Sequence, residues 1–367
     1  MTMPPPLPDR QYPKTRSSGN KALIGCGIGC ATIIGLVLIA VGFGGWWFFS
    51  TEDQVPTDRI LNTGSSAAFR LEDISRNQEV MQLISDVFKE AQRINRNRFH
   101  EQLPEPFEKF QNYFEGQQDP VQLIKWFSPK EATASFSYDA AGDSVYIIAA
   151  NFGTGTRMVK MILNTAFENN EHLKSRKIST EHGDLFLIDQ RNNWNGDKTQ
   201  QGILGFYKGT FIFSNGTESV ISALDQLADE TNSGELNEAL SDPYYRMNRE
   251  GCLAYGVMDG SFFKYPDHGI GPFKGELGSA IKKAEISLDK LSGENGTLNL
   301  KTEWNNKEIA VKANEELDKL KPEWIEEAGY NGFDMEIINS LEGEKLDIRF
   351  RVNNLKDSLV HLIQDMD

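Results

Sequence analysis

Glu181-His182-Gly183-Asp184 sets two carboxylates beside an imidazole. These residue types bind divalent metals or move protons near neutral pH. The run sits between two predicted strands, Lys177 to Glu181 and Asp184 to Asp189, at a hairpin tip where side chains splay into water. No further ligand lies near it in sequence, and only His172, just before the first strand, is placed to approach it in space. Asp267-His268 stands isolated in a glycine-rich loop. No catalytic or metal-binding residue is assigned from either group.

Gly153-Thr-Gly-Thr-Arg157 follows a predicted strand and opens a predicted helix, a setting in which backbone N–H groups can hold a phosphate. It lacks the third glycine of a dinucleotide loop and the Lys-Ser/Thr of a P-loop, so a turn capped by Thr154 or Thr156 accounts for it. Walker A, GxSxG, HExxH and CxxC signatures are absent from the sequence. No cofactor is expected. Binding or scaffolding without catalysis is the leading reading, and a hydrolase whose polar groups converge only in the fold and a self-associating structural membrane protein are the alternatives.

The elements that position these groups begin with a membrane anchor. Residues Ala22 to Phe49 carry no charge and exceed the roughly 20 apolar residues that cross a bilayer as a helix. Arg10, Lys14, Arg16 and Lys21 precede the run, and Glu52, Asp53 and Asp58 follow it. The positive-inside rule therefore places the tail in the cytoplasm and the rest outside. The apolar core is too long for a cleaved signal, and Gly45-Trp46-Trp47-Phe48-Phe49-Ser50 offers no small-x-small cleavage site, which makes it an uncleaved signal anchor. Leu23-Ile24-Gly25-Cys26 has the letters of a lipobox but no apolar stretch before its cysteine. Gly25 and Gly29 form a GxxxG, and Gly27, Ala31 and Gly35 a second small-residue row. Such rows let membrane helices approach closely and make a homodimer the self-association to test.

The chain has 38 basic and 53 acidic residues, and four of the basic ones lie in the tail with one acid, so the exterior is more acidic than the net −15 of the whole. That excludes nucleic acid as an expected partner. Of three cysteines, Cys26 and Cys30 lie in the span and only Cys252 lies outside, so no disulfide framework supports the external fold.

The organisation reads as follows. Residues 1–21 are a disordered proline-rich tail, in which Pro5-Pro6-Leu7-Pro8-Asp9-Arg10 has a PxxPxR shape. The span covers 22–49, a polar linker 50–70, and a helical neck 71–128. In the neck Leu71, Ile74, Met81, Ile84, Val87, Phe88, Ala91 and Ile94 recur at helical spacing over about 72–98, followed by helical stretches around Phe107 to Phe114 and Asp119 to Phe127. Two α+β units cover 129–232 and 281–367, joined by a connecting segment, 233–280.

In the first unit the hairpins are Ala132 to Tyr138 with Asp143 to Asn151, then Lys177 to Glu181 with Asp184 to Asp189, then Ile203 to Tyr207 with Thr210 to Ser214. Helices are expected over about 156–168 and 218–230. In the second unit Ala284 to Leu291 pairs with Thr297 to Trp304, a helix covers about 307–319, Phe333 to Ile338 pairs with Lys345 to Val352, and a helix covers about 356–364. The closing helices share a local pattern, Asn215-Gly-Thr-Glu-Ser-Val-Ile and Asn354-Leu-Lys-Asp-Ser-Leu-Val, with Asn read as a cap. The order suggests two copies of a ββαββα unit.

The fold class is therefore α+β: an N-terminal transmembrane helix, a helical neck and an external domain of antiparallel hairpins and helices. The layout is similar to that of many bacterial envelope proteins with one N-terminal anchor and a periplasmic α+β domain. The expected location is the inner membrane and periplasm, and the expected partner is another envelope protein or a ligand. Asn215-Gly-Thr217 and Asn295-Gly-Thr297 are glycosylation sequons in a eukaryotic setting and turns in a bacterial one.

Overall fold

Alternating apolar and polar residues in short segments along the chain produce strands that, among the described residues, pair only with antiparallel neighbours. The computed structural model describes residues 55–94, 129–139, 142–152, 177–191, 199–250, 252–264, 273, 275–289, 291, 295–330 and 332–365. The strands are β1 (Ala67–Leu71), β2 (Glu131–Tyr138), β3 (Ser144–Asn151), β4 (Lys177–Thr180), β5 (Gly183–Arg191), β6 (Thr199–Tyr207), β7 (Thr210–Ser214), β8 (Ala254–Asp259), β9 (Ile281–Leu288), β10 (Gly296–Trp304), β11 (Asp334–Glu342) and β12 (Lys345–Asn353). They form one 12-stranded sheet in the order β11-β12-β10-β9-β8-β1-β2-β3-β7-β6-β5-β4. The helices are α1 (Gln78–Ile94), α2 (Thr217–Ala228), α3 (Glu238–Glu250), α4 (Gly275–Ser279), α5 (Lys307–Tyr330) and α6 (Leu355–Asp365).

The mixed, antiparallel class and its hairpins agree with the sequence pattern. The first strand does not. Residues 50–70, expected as a polar linker, include all of β1 but its last residue, and β1 lies between β8 and β2 near the middle of the sheet. Ala67-Ala68-Phe69-Arg70-Leu71 has no β-branched residue and one charge, so it carries little strand propensity of its own. It is held by ten register pairs to the two strands beside it, and its alanines are fully buried. The following helix starts at Gln78 instead of about 72, because a 3₁₀ turn, Ile74–Arg76, comes first. Asn77 then accepts the N–H groups of Glu79 and Val80 at 3.1 Å, as a capping residue does.

Helix α5 runs to Tyr330, past the expected end near Lys319, and contains Pro322. An interior proline removes a helical hydrogen bond and costs about 3 kcal/mol or more. Buried Trp324, two residues on, packs on Phe350 with ring centroids 6.4 Å apart and keeps the last turns on the sheet. The expected span 22–49, the neck helices beyond residue 94 and the helix over 156–168 lie outside the described residues. Among the described residues no helix is long and apolar enough to cross a membrane.

The two faces of the sheet have different roles. On the Phe69 face, Ala310, Ala313, Leu317 and Trp324 of α5 pack on Leu300, Ile337, Leu346 and Ile348, with Phe273 and Trp304 edge to face at 5.0 Å. On the opposite, Arg70 face, α2 covers Ile147, Ala149, Leu185, Ile203 and Ile212, and α3 covers Ala68, Tyr255 and Val257. Farther along that face the strands β9 to β12 present charges. Lys282 pairs with Glu303 at 2.5 Å, Lys283 with Glu285 at 3.1 Å, and Arg349 donates to Asn299 at 3.2 Å. One buried face and one solvated face is the usual state of an antiparallel sheet.

The registers of the two halves correspond. In the hairpin β2–β3 the pairs Glu131–Asn151, Ala132–Ala150 and Ser135–Ile147 answer to Lys283–Glu303, Ala284–Thr302 and Ser287–Asn299 of β9–β10, at one constant shift along the chain. The pairs Ile203–Ser214 and Tyr207–Thr210 of β6–β7 answer to Ile338–Arg349 and Glu342–Lys345 of β11–β12 at another constant shift. With these shifts, Ile147–Ser214 becomes Asn299–Arg349 and Asn151–Thr210 becomes Glu303–Lys345, both of which are observed. The turns match too, with left-handed Lys208 (φ 48) at the place of left-handed Gly343 (φ 63). Strands β1 and β8 pair with each other, with Phe69 opposite Gly256.

Candidate functional site

Among the described residues, a group of charges and buried polar atoms surrounds Arg70, on the face covered by α3. An arginine at the fourth position of a central strand must find anions, since an unpaired buried charge is prohibitive. Arg70 meets three. Its Nε donates to Glu72 at 2.6 Å, one terminal nitrogen to Asp58 at 3.0 Å and the other to Glu131 at 2.9 Å. The arginine side chain is 10% exposed, and the carboxylates are 21–32% exposed. Burial pulls the guanidinium pKa down, but Tyr244 and the three carboxylates reverse this and carry it above its ordinary value. Arg70 is a permanent cation.

Around it, Tyr244 and Tyr255 are buried edge to face with centroids 5.2 Å apart. Burial pushes both phenol pKa values up. The Tyr244 hydroxyl lies beside Arg70 and Thr133, yet neither phenol oxygen makes a hydrogen bond of normal geometry among the described residues.

The centre holds down a strap, residues 55–61, that enters the core immediately ahead of the sheet. The carbonyl of Val55 accepts from the Asn151 amide at 2.8 Å and from the Thr210 hydroxyl at 3.3 Å. The Thr57 N–H donates to Glu131 at 2.8 Å, and its hydroxyl shares a hydrogen bond with Thr133 at 2.8 Å. Arg59 donates to the carbonyl of Leu227, while Asn232 donates to that of Arg59. Val55, Thr57, Ile60 and Leu61 are buried. Gly234, at φ 74, lets its backbone lie against Asp58: a Cβ there would fall 2.0 Å from the Asp58 carbonyl oxygen. Asp58 belongs to the strap, Glu72 and Glu131 to the sheet ends, and Arg70 joins them.

The residues singled out in sequence take other places. His182 sits in the β4–β5 turn with Nε2 3.2 Å from Asp225 of α2, its ring edge-on to Tyr207 at 5.9 Å. Asp184 turns away to Lys177 at 2.6 Å and to Ser179, and those hydrogen bonds lower its pKa. Glu181 is exposed. The three do not converge, and among the described residues no group of three His, Cys, Asp or Glu is placed to hold a metal ion. His172, Gly153-Thr-Gly-Thr-Arg157, Asp267-His268 and the small-residue rows Gly25, Gly29 and Gly27, Ala31, Gly35 lie outside the described residues. Cys252 is buried with Leu61, Ala68 and Tyr244.

Asn215 is not the cap of α2; Gly216 stands there, with no side-chain cap bond. Asn215 instead fastens the start of β3, donating to the Ser144 carbonyl at 2.7 Å and accepting from the Tyr146 N–H at 3.1 Å. A cap needs its side chain over the first helical turn, and strand pairing turns this one the other way.

Sequence reasoning missed the Arg70 centre because its members have no common spacing. Asp58 and Glu131 lie 12 and 61 positions from Arg70. The available signal was a lone arginine inside a short apolar run. A small cavity of about 30 Å³ lies on the sheet near this point, lined by Phe69, Leu71, Ala132, Ala134, Ile148 and Ala254 among others. It is apolar and has room for little more than a water. No protein-family model matches the chain, and a search of curated proteins gives no match.

Proposed function

We propose that this chain is a single-pass membrane protein of the bacterial envelope, N-terminus in the cytoplasm, whose external domain binds or scaffolds another envelope protein or a ligand without catalysis. The observation that carries the reading is the strap. The chain following the uncharged run 22–49 is built into the core from Val55 onward, six residues after Phe49, so the domain is tied closely in sequence to that run. The positive tail and acidic exit supply the orientation. Charge chemistry at Arg70 supports a holding role, since its donors are committed to three carboxylates. The polar, open face of β9 to β12 is the surface offered to a partner.

We also read the domain as two copies of a ββαββα unit related by an axis at Phe69 and Gly256, with β4–β5 added to the first. The matching registers support it more strongly than the Asn-led helix pattern does.

The test is photocrosslinking in intact cells from Lys301 and Arg349 on the open face, with Ile325 on α5 for comparison. A discrete adduct with a different envelope protein from the open face alone supports the reading. Adducts only with a second copy favour the self-associating alternative, and none from any position overturns the binding role.

A further inference from the structure

We infer that the end of the sheet bearing the Lys208–Gly209 turn faces the bilayer, a lipid surface held within about 20 Å. The inference rests on the reading of residues 22–49 as a membrane anchor. Phe49 and Val55 are six residues apart, and a chain extends at most about 3.6 Å per residue. Val55 is 4% exposed and fixed by Asn151 and Thr210, which pair with each other at one end of β3 and β7. From Val55 the strap runs toward the other end, where Ser65 shares a hydrogen bond with Ser135 and the Ser66 N–H donates to Phe136. Read backward, the chain leaves the domain at the Asn151–Thr210 end.

The pairings fix what else lies at that end. Tyr207 pairs with Thr210 there, which puts the Lys208–Gly209 turn beside the exit. Following the register from Leu71 through Ala254, Leu288, Leu298 and Phe350 puts the start of β12 at the opposite end, with the Gly343–Glu344 turn. Nine-residue strands such as β12 span about 30 Å. The two turns, which correspond under the relation between the halves, thus point in opposite directions, and the tether distinguishes them.

The experiment uses the full chain in liposomes, in a Cys26→Ser, Cys30→Ser background that leaves buried Cys252 in place. A donor dye is attached through Lys208→Cys or, in a second protein, Glu344→Cys, and energy transfer to acceptor-labelled lipid headgroups is measured. Transfer from position 208 is expected to exceed that from 344 roughly twofold or more, given a separation of about 30 Å. Inserting a long Gly-Ser segment between Ser50 and Thr51 is expected to abolish the difference. Equal or reversed transfer from protein that floats with the liposomes after an alkaline wash overturns the inference alone. Failure to float overturns the anchor and the inference with it.

Discussion

Phe69 lies across the face of Gly256, its register partner on the neighbouring central strand. A Cβ at position 256 would fall 2.2 Å and 2.5 Å from two carbons of the ring. Strands β1 and β8 meet at this contact near the middle of the sheet, and Phe69 continues outward through Phe136, 5.9 Å away edge to face.

Gly256→Ala is therefore expected to destabilise the domain by about 1–3 kcal/mol, the usual cost of overpacking. Phe69→Ala alone also destabilises, by removing buried area. In the double variant the clash is gone, so the two changes should cost less together than their sum. Urea unfolding of the four proteins measures this, and strict additivity would refute the contact.

Arg70→Met should cost about 3–5 kcal/mol, because it leaves Asp58, Glu72 and Glu131 facing one another without their cation. Asp58→Asn should cost less, since that carboxylate is partly exposed and screened by water. The order of the two urea midpoints checks the assignment.

Removal of the strap is expected to be more damaging than removal of everything before it. A chain beginning at residue 55 keeps Val55, Ile60 and Leu61, each contributing about 1.5–3 kcal/mol of burial. One beginning at 62 loses all three, a loss comparable to the stability of a typical domain. Circular dichroism and resistance to trypsin should separate a folded first protein from an unfolded second.

Tyr244 and Tyr255 make stability fall in alkali. Burial raises both phenol pKa values in the folded state, so the native protein holds protons that the unfolded chain, with an ordinary pKa of about 10, releases. That contribution is fully present below pH of about 10 and declines above it. Titration of absorbance at 295 nm should show part of the tyrosine signal appearing only with unfolding. Tyr244→Phe with Tyr255→Phe should remove that late step.

Lys208 adopts the left-handed conformation that Gly343 occupies without strain. Lys208→Gly is expected to gain up to about 1 kcal/mol, and Gly343→Lys to lose a similar amount. A shift of the urea midpoint in opposite senses, at unchanged slope, would bear this out.

The amino-acid pattern by itself determined the hairpins and their order, because alternation of buried and exposed residues is written locally in segments such as Ser144–Asn151 and Lys345–Asn353. It also determined that one uncharged run precedes a long acidic remainder of the chain. Tertiary structure decided the rest. Ala67–Leu71 becomes a strand because two neighbours pair with it, not through its own propensity. Asp58, Arg70 and Glu131 become a site because one strand, one turn and one sheet end meet there. Helix α5 continues through Pro322 because Trp324 finds a core beyond it. In each case the energy comes from burial and charge pairing between residues distant in sequence, which no local spacing encodes.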